Sequence, residues 1–404
     1  MWSGGALVLR PVSYFDILAV VMIMLIAPPI ADLAICVFGN LRRSSIQRKK
    51  TAQDVRLAVI VPAHDQEPAI AKILQSFETA GCSLYVSHSN STSTSTAWAV
   101  QVFVVAHNCK DGTAAVAAGC GARVVALDEE TDHSKSAALR RGIEEAQLTG
   151  ANAFLLIDAD ASVGPNLIAA TRAALIEGAM ATQCRVELET PPSDPVSFKA
   201  RLRATAFRAK NVLRKRGRSG LGFSAGVIGN GFAVTADALN RVPLAIDGIY
   251  GGLEYHAHLV SEGIRVRWVD HTFVYAEPAS VRAAGATRKA RLLRRLQVAK
   301  RVTGRLFMAL LRGRWRAAAV LGEVWSLPLA AVLVALLAIA FLPLRGAHII
   351  GVAVAAMVFL YWLEAVFLGP EPWRVLASPF VASFQFLRKR TVRVMAQHQS
   401  RKEA

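Results

Sequence analysis

A chain of 404 residues that is 53% hydrophobic yet carries 47 Lys and Arg against 29 Asp and Glu, a formal charge of +18, must pair apolar blocks with basic ones. That pairing and length exclude one average-sized soluble domain and point to a soluble domain joined to a membrane part. The Lys and Arg stand beside apolar segments and no standard nucleic-acid module occurs, so no nucleic-acid partner is expected.

The first element is a nearly continuous apolar run, Tyr14 to Phe38, interrupted by Asp16, Pro28, Pro29 and Asp32 and long enough to span a hydrocarbon core of about 30 Å. Its basic cluster (Arg42, Arg43, Arg48, Lys49, Lys50) follows rather than precedes it, which favours a retained anchor over a cleaved signal peptide. Residues 1–50 are therefore read as an N-terminal transmembrane anchor with a basic flank.

Residues 51–304 then alternate as a nucleotide-binding α/β domain does. Leu57 to Val61 predicts a strand, Ala69 to Thr79 a helix, Val100 to Ala106 a second strand, Thr113 to Ala118 a helix capped by Asp111, and Val124 to Leu127 a third strand. Strands separated by helices imply a parallel, doubly wound sheet whose ligands bind at the strands' carboxyl ends. Ser87 to Thr96 (SHSNSTSTST) is too polar to bury and reads as a surface insertion. The five cysteines, Cys36, Cys82, Cys109, Cys120 and Cys184, have neither CxxC nor His-linked spacing, which fits a reducing compartment better than a zinc or disulfide framework.

Two further apolar spans, about Val320 to Leu342 and His348 to Leu368, make a hairpin within residues 305–404. Pro370 to Leu387 then reads either as an interfacial amphipathic helix or as a packing segment, before a basic tail. The positive-inside rule puts the soluble domain on the cytoplasmic side of a bacterial inner membrane.

The chemistry is carried by Phe154 to Ile157, an apolar strand that runs into Asp158-Ala159-Asp160. Two carboxylates two residues apart at a strand's carboxyl end suit a hard divalent cation, which keeps positions open for substrate phosphates. The competing reading is a turn whose aspartate caps the next helix.

In order along the chain, Val59-Ile60-Val61-Pro62-Ala63-His64-Asp65-Gln66-Glu67, Val104 to Thr113, Ser134 to Leu139, Asp158-Ala159-Asp160 and Gly229-Asn230-Gly231 resemble the motifs of membrane-bound family 2 glycosyltransferases with the GT-A fold. That resemblance implies an α/β GT-A domain with a mixed sheet plus transmembrane helices. It also implies Mg²⁺ or Mn²⁺ held by Asp158 and Asp160, with Asp160 in a catalytic role. Pro62, Ala63, Glu67, His107 and Lys135 would join Asp158 in binding the nucleotide-sugar, and Gly229, Asn230, Gly231, Arg288 and Arg291 would face the acceptor.

Three positions depart from the family's pattern. His107 stands where an Asp usually contacts the base. Gly251-Gly252 replaces the acidic pair that supplies the general base, leaving Glu254 or Asp247 as substitutes, although a two-residue shift rotates a helical side chain by about 200°. The QxxRW-type motif becomes Arg288-Lys289-Ala290-Arg291-Leu292, whose missing Trp argues against a processive polymerase.

Two basic runs, Arg288 to Arg305 and the nine-cation stretch Lys199 to Arg218, read as surfaces against anionic lipid or as solvated faces. The function expected is transfer of a hexose from a nucleoside diphosphate sugar to a lipid-linked or saccharide acceptor, in cell-envelope or exopolysaccharide synthesis. The alternative is an impaired homologue that scaffolds or regulates an active synthase, its partner among polysaccharide-biosynthesis proteins.

Overall fold

The computed structural model describes residues 30–40, 54–80, 100–128, 134–189, 198–246, 251–277, 288–325, 347–369 and 372–376. The insertion Ser87 to Thr96, Asp247 and the segment 377–404 lie outside them.

The centre of the fold is set by three apolar runs. β1 (Leu57–Ala63), β2 (Gln101–His107) and β4 (Ala153–Leu156) are almost wholly buried, as strands covered on both faces must be. β1 lies between β2 and β4, parallel to both, and β3 (Arg123–Leu127) extends the parallel half beyond β2. The full order is β3-β2-β1-β4-β7-β6-β8-β5.

The sheet is mixed, as the family resemblance implies, and it departs from the parallel pattern of the first half after β4. β7 (Phe232–Thr235) runs antiparallel to β4 on one side and to β6 (Ala181–Leu188) on the other, while β8 (Val266–Ala276) is parallel to β6 and the two-residue β5 (Ser162–Val163) closes the edge antiparallel. β7 enters the sheet after a helical excursion rather than a single crossover helix, so the alternation that signals parallel pairing is absent from its stretch of sequence.

Helices cover both faces. In α2 (Glu67–Thr79), Ile70, Ile73, Leu74 and Phe77 fall on one stripe and are fully buried. They share a core with α3 (Thr113–Gly119) and α5 (Leu167–Ile176), while α4 (Lys135–Leu148), α8 (Ala236–Arg241) and α9 (Gly251–Ser261) build the opposite one. α4 sits close on the sheet because Gly142 carries no side chain; a Cβ there would lie 2.6 Å from Ile60 Cγ2.

The stretch Lys199 to Arg218 is neither a lipid-facing nor a solvated surface over its second half. It folds as α6 (Phe198–Arg208), a π turn (Ala209–Leu213) and α7 (Arg214–Gly220), and α7 turns Arg214, Lys215 and Arg218 inward. Arg218 is fully buried, donating from Nε to Asp32 at 2.9 Å and contacting Glu323. Arg214 pairs with Asp32 at 2.6 Å, and Lys215 lies 3.8 Å from Glu323. Helix α1 (residues 30–40) meets α7 so closely that a Cβ on Gly217 would lie 2.7 Å from the Cys36 Cα. A third apolar cluster joins α9 to the long helix Arg288–Leu311 and to the helix Ala317–Trp325.

Among the described residues no helix is long and apolar enough to cross a membrane. The first two expected spans fall mostly outside those residues, and the third coincides with the helix Ala347–Phe367.

His256 on α9 tests how firmly this interior excludes charge. Its Nε2 lies 2.8 Å from Ser224 Oγ, and burial, aided by Lys215 and Arg218 against the opposing pull of Glu323, pushes the imidazole down to about 3. The unfolded chain takes up this proton near the ordinary histidine pKa of 6.5 and the native chain does not, so stability falls as pH drops from 6.5 towards 3. The melting temperature should decline between pH 6.5 and 4, and His256→Asn should flatten that slope in a pH series of thermal melts.

Candidate active site

A cleft of about 500 Å³ opens at the carboxyl ends of β1, β2 and β4. Pro62, Ala63, His64 and Gln66 line it from β1, His107 and Asn108 from β2, and Asp158, Ala159 and Asp160 from β4. Lys135 and Ala138 of α4 complete its wall.

Two sharp bends shape the floor. Asp65 (φ 48°) and Asn108 (φ 51°) adopt the left-handed conformation, which short polar side chains tolerate better than others. Cross-links hold the two loops together: the Lys110 N–H donates to Asp65 Oδ1 at 2.7 Å, the Gln66 N–H to Thr113 Oγ1 at 2.9 Å, and His64 Nδ1 lies 2.8 Å from the His107 carbonyl oxygen.

Glu67, expected to bind nucleotide, is not among the lining residues. Its carboxylate accepts the Gly112 N–H at 2.8 Å, and its own N–H donates to Asp111 Oδ2 at 3.0 Å. Both helices α2 and α3 begin here, and these carboxylates satisfy backbone donors that a helix's first turn leaves open. The Thr113 hydroxyl, with backbone N–H groups adding, holds the Asp111 carboxyl below its usual range. Asp65, Cys109 and Asp111 bring three ligand-type atoms within 4.8 Å of one another, but both carboxylates are committed to this loop bonding.

Lys135 opens α4, where Ser134 caps the helix by accepting the Ala137 N–H at 3.1 Å. The Lys135 ammonium contacts Asp158, so a cation and the positive end of a helix share one cleft with Asp158 and Asp160. Asp158 and Asp160 suit a divalent cation: they give hard oxygen ligands and leave coordination positions for phosphate oxygens.

The segment Gly229-Asn230-Gly231 braces this arrangement from behind rather than lining the cleft. The Asp158 N–H donates to Asn230 Oδ1 at 3.3 Å, and the Gly231 N–H to the Leu156 carbonyl at 3.0 Å. Gly229 (φ 105°) and Gly231 (φ 69°) hold conformations that favour glycine. Sequence reasoning missed Gln183, whose Nε2 donates to the Asn230 carbonyl at 2.8 Å and whose Oε1 accepts the Ile228 N–H at 2.8 Å. The available signal is an amide side chain in a strand whose opening residues, Ala181 to Cys184, are otherwise small.

Glu254, Gly251 and Gly252 are not among the described residues that line the cleft. Glu254 pairs with Arg301 of the long helix at 3.6 Å, and Arg288 and Arg291 fall in that helix's first turn. Gly251 and Gly252 pack backbone against backbone: a Cβ on Gly251 would lie 2.7 Å from the Ile246 carbonyl carbon, and one on Gly252 2.7 Å from the Val227 carbonyl oxygen. No side chain fits at either position without backbone movement.

A model of the glycosyltransferase-like family 2 matches residues 55–294, from the approach to β1 into the long helix. The chain belongs to that family. This glycosyltransferase-like chain also resembles a solved mannosyltransferase of Pyrobaculum calidifontis, in complex with GDP-Man and Mn²⁺, at 15% identity and TM-score 0.51, covering 91% of this chain and 98% of that one. Glucosyl-3-phosphoglycerate synthase of Mycobacterium tuberculosis, solved with Mn²⁺ and UDP, aligns at 18% identity and TM-score 0.35 over 54% of this chain and 70% of the other. The first likeness identifies the fold as GT-A. No curated protein sequence matches the chain.

The glycine pair of this family member yields a direct test. Gly252→Asp should lower stability by about 1–3 kcal/mol through backbone displacement, without raising turnover. Thermal melts paired with a donor-consumption assay measure both effects.

Proposed function

We propose that the chain is a metal-dependent glycosyltransferase that moves a hexose from a nucleoside diphosphate sugar to a lipid-linked or saccharide acceptor at the cytoplasmic face of an inner membrane. The observation that carries this reading is the set of Lys135, Asp158 and Asp160 facing one another in a cleft at the strands' carboxyl edge.

In this reading Asp158 and Asp160 hold Mg²⁺ or Mn²⁺, which supplies positive charge to the departing diphosphate. Lys135 exchanges its contact with Asp158 for the phosphates, and the amino end of α4 adds to the same field. Pro62, Ala63, His64 and His107 lie where a nucleoside fits, against the β1 and β2 loops. Asn230 and Gln183 keep the Asp158 backbone fixed, so the ligand carboxylates need little reordering when charge arrives. The membrane setting is supported by the long apolar runs and by the outward Leu292, Leu293, Leu296 and Phe307 among the cations of the long helix.

A second reading, a scaffold that has lost transfer, is favoured by Gly251 and Gly252, since a hydroxyl acceptor needs a base worth about 10² to 10⁴ in rate. Turnover by the unaltered chain removes it.

The test uses ligand-induced stabilisation. UDP or GDP with Mn²⁺ should raise the melting temperature, by an amount equivalent to about 2.7 kcal/mol at a hundredfold excess over Kd. Asp160→Ala and Asp158→Asn should abolish the metal-dependent part of the shift while each variant remains folded. An equal shift in both variants rules out the metal-bridged donor site.

A further inference from the structure

We infer that Lys135 guards the proposed metal site: its ammonium holds Asp158 against a bare divalent cation and yields it to one that arrives with a nucleoside diphosphate. The inference rests on the donor reading above and gives that site an order of loading.

Asp158 is a fixed post. Its N–H donates to Asn230 Oδ1 at 3.3 Å, its carbonyl accepts the Ala161 N–H at 3.1 Å, and the preceding Ile157 N–H donates to the Ile60 carbonyl of β1 at 3.1 Å. Asn230 is held in turn by the Gln183 side chain. The carboxylate thus springs from backbone tied to its neighbours on both sides.

Lys135 is the movable partner. It opens α4, whose first turn is anchored by the Ser134 cap and by Ser136, which accepts the Ile246 N–H at 2.9 Å. Beyond that anchor the ammonium rides on a flexible four-carbon stem. The two side chains of the pair are 38% and 33% exposed, so water reaches the contact and it can open without any shift of the strands. An ion pair this open is worth at most about fivefold in an equilibrium, weak enough for a better anion to break.

Two cations cannot share Asp158 on equal terms. A divalent ion and an ammonium on one carboxylate stand close enough for like charges to repel. A bare ion must therefore drive the ammonium off into water, where it gains no new partner. A diphosphate reverses that balance, because it offers Lys135 several anionic oxygens at the amino end of α4. The ammonium then passes from carboxylate to phosphate, and Asp158 is left for the metal. Linkage makes the effect reciprocal: nucleotide tightens metal binding by the same factor as metal tightens nucleotide binding. On release the exchange runs backwards, and Asp158 regains its ammonium.

The experiment measures Mn²⁺ binding by the purified full chain in detergent, read from the paramagnetic resonance signal of free Mn²⁺, and then UDP and GDP binding at saturating Mn²⁺ by calorimetry. Lys135→Met should bind Mn²⁺ alone about three- to tenfold more tightly than the parent. The gain should persist in about 0.5 M KCl, where the influence of a charge that makes no contact is screened within about 4 Å. The same variant should bind the nucleotides about tenfold or more weakly. Lys135→Arg, which keeps a cation able to hold Asp158, should bind bare Mn²⁺ as weakly as the parent. Lys135→Gln repeats the measurement should Met disturb α4, as thermal melts without ligand would reveal.

These opposite movements set a guard apart from a lysine that only binds phosphate, whose loss would weaken nucleotide and leave bare Mn²⁺ unmoved. That second pattern overturns the inference and leaves the donor site standing. A gain that vanishes in the added salt overturns it too, since Lys135 would then act at a distance. If the folded parent binds neither Mn²⁺ nor nucleotide with Mn²⁺, the donor reading beneath it fails.

Discussion

Arg218 has no contact with water, and its guanidinium is held between Asp32 and Glu323. Three stretches far apart in sequence are thereby fixed to one point, since withdrawing one partner from a buried pair leaves an uncompensated charge that costs about 3–5 kcal/mol. The position of α1 follows from it, and so does the seating of the helix Ala317–Trp325 on α9. The same helix α9 packs Gly251 against the backbone of Ile246 and Gly252 against that of Val227.

The site is organised around charge rather than shape. Lys135 and the start of α4 offer positive potential, Asp158 and Asp160 negative potential, and the neutral amides of Asn230 and Gln183 carry rigidity between strands. Amide-to-backbone bonding fixes the carboxylates' strand without adding charge, so the cleft's field is left to groups that touch ligand.

Much of the first half of the fold was legible. Continuous apolar runs gave β1, β2 and β4, the spacing of Ile70, Ile73, Leu74 and Phe77 gave α2, and an apolar strand ending in Asp158-Ala159-Asp160 marked the cleft. The sequence is silent where the deciding partner is remote. Nothing near Arg218 announces Asp32 or Glu323, so a run of nine cations looked like a surface. Glu67 sits beside the nucleotide loop in sequence, yet a donor 45 residues on claims its carboxylate. The antiparallel entry of β7 and the Glu254–Arg301 pair are likewise tertiary facts, set by helix packing that periodicity does not report.

The ties of Arg218 also have a temporal side. Asp32 precedes it by 186 residues and Glu323 follows it by 105, so at about 5–20 residues per second a ribosome takes roughly 5–20 s to deliver the second carboxylate after the guanidinium has emerged. During that interval the nascent chain holds an incompletely neutralised cation that resists burial. Closure of this layer is therefore a late event in biogenesis, and a chain released before Glu323 is made would expose the α7 surface to chaperones and proteases.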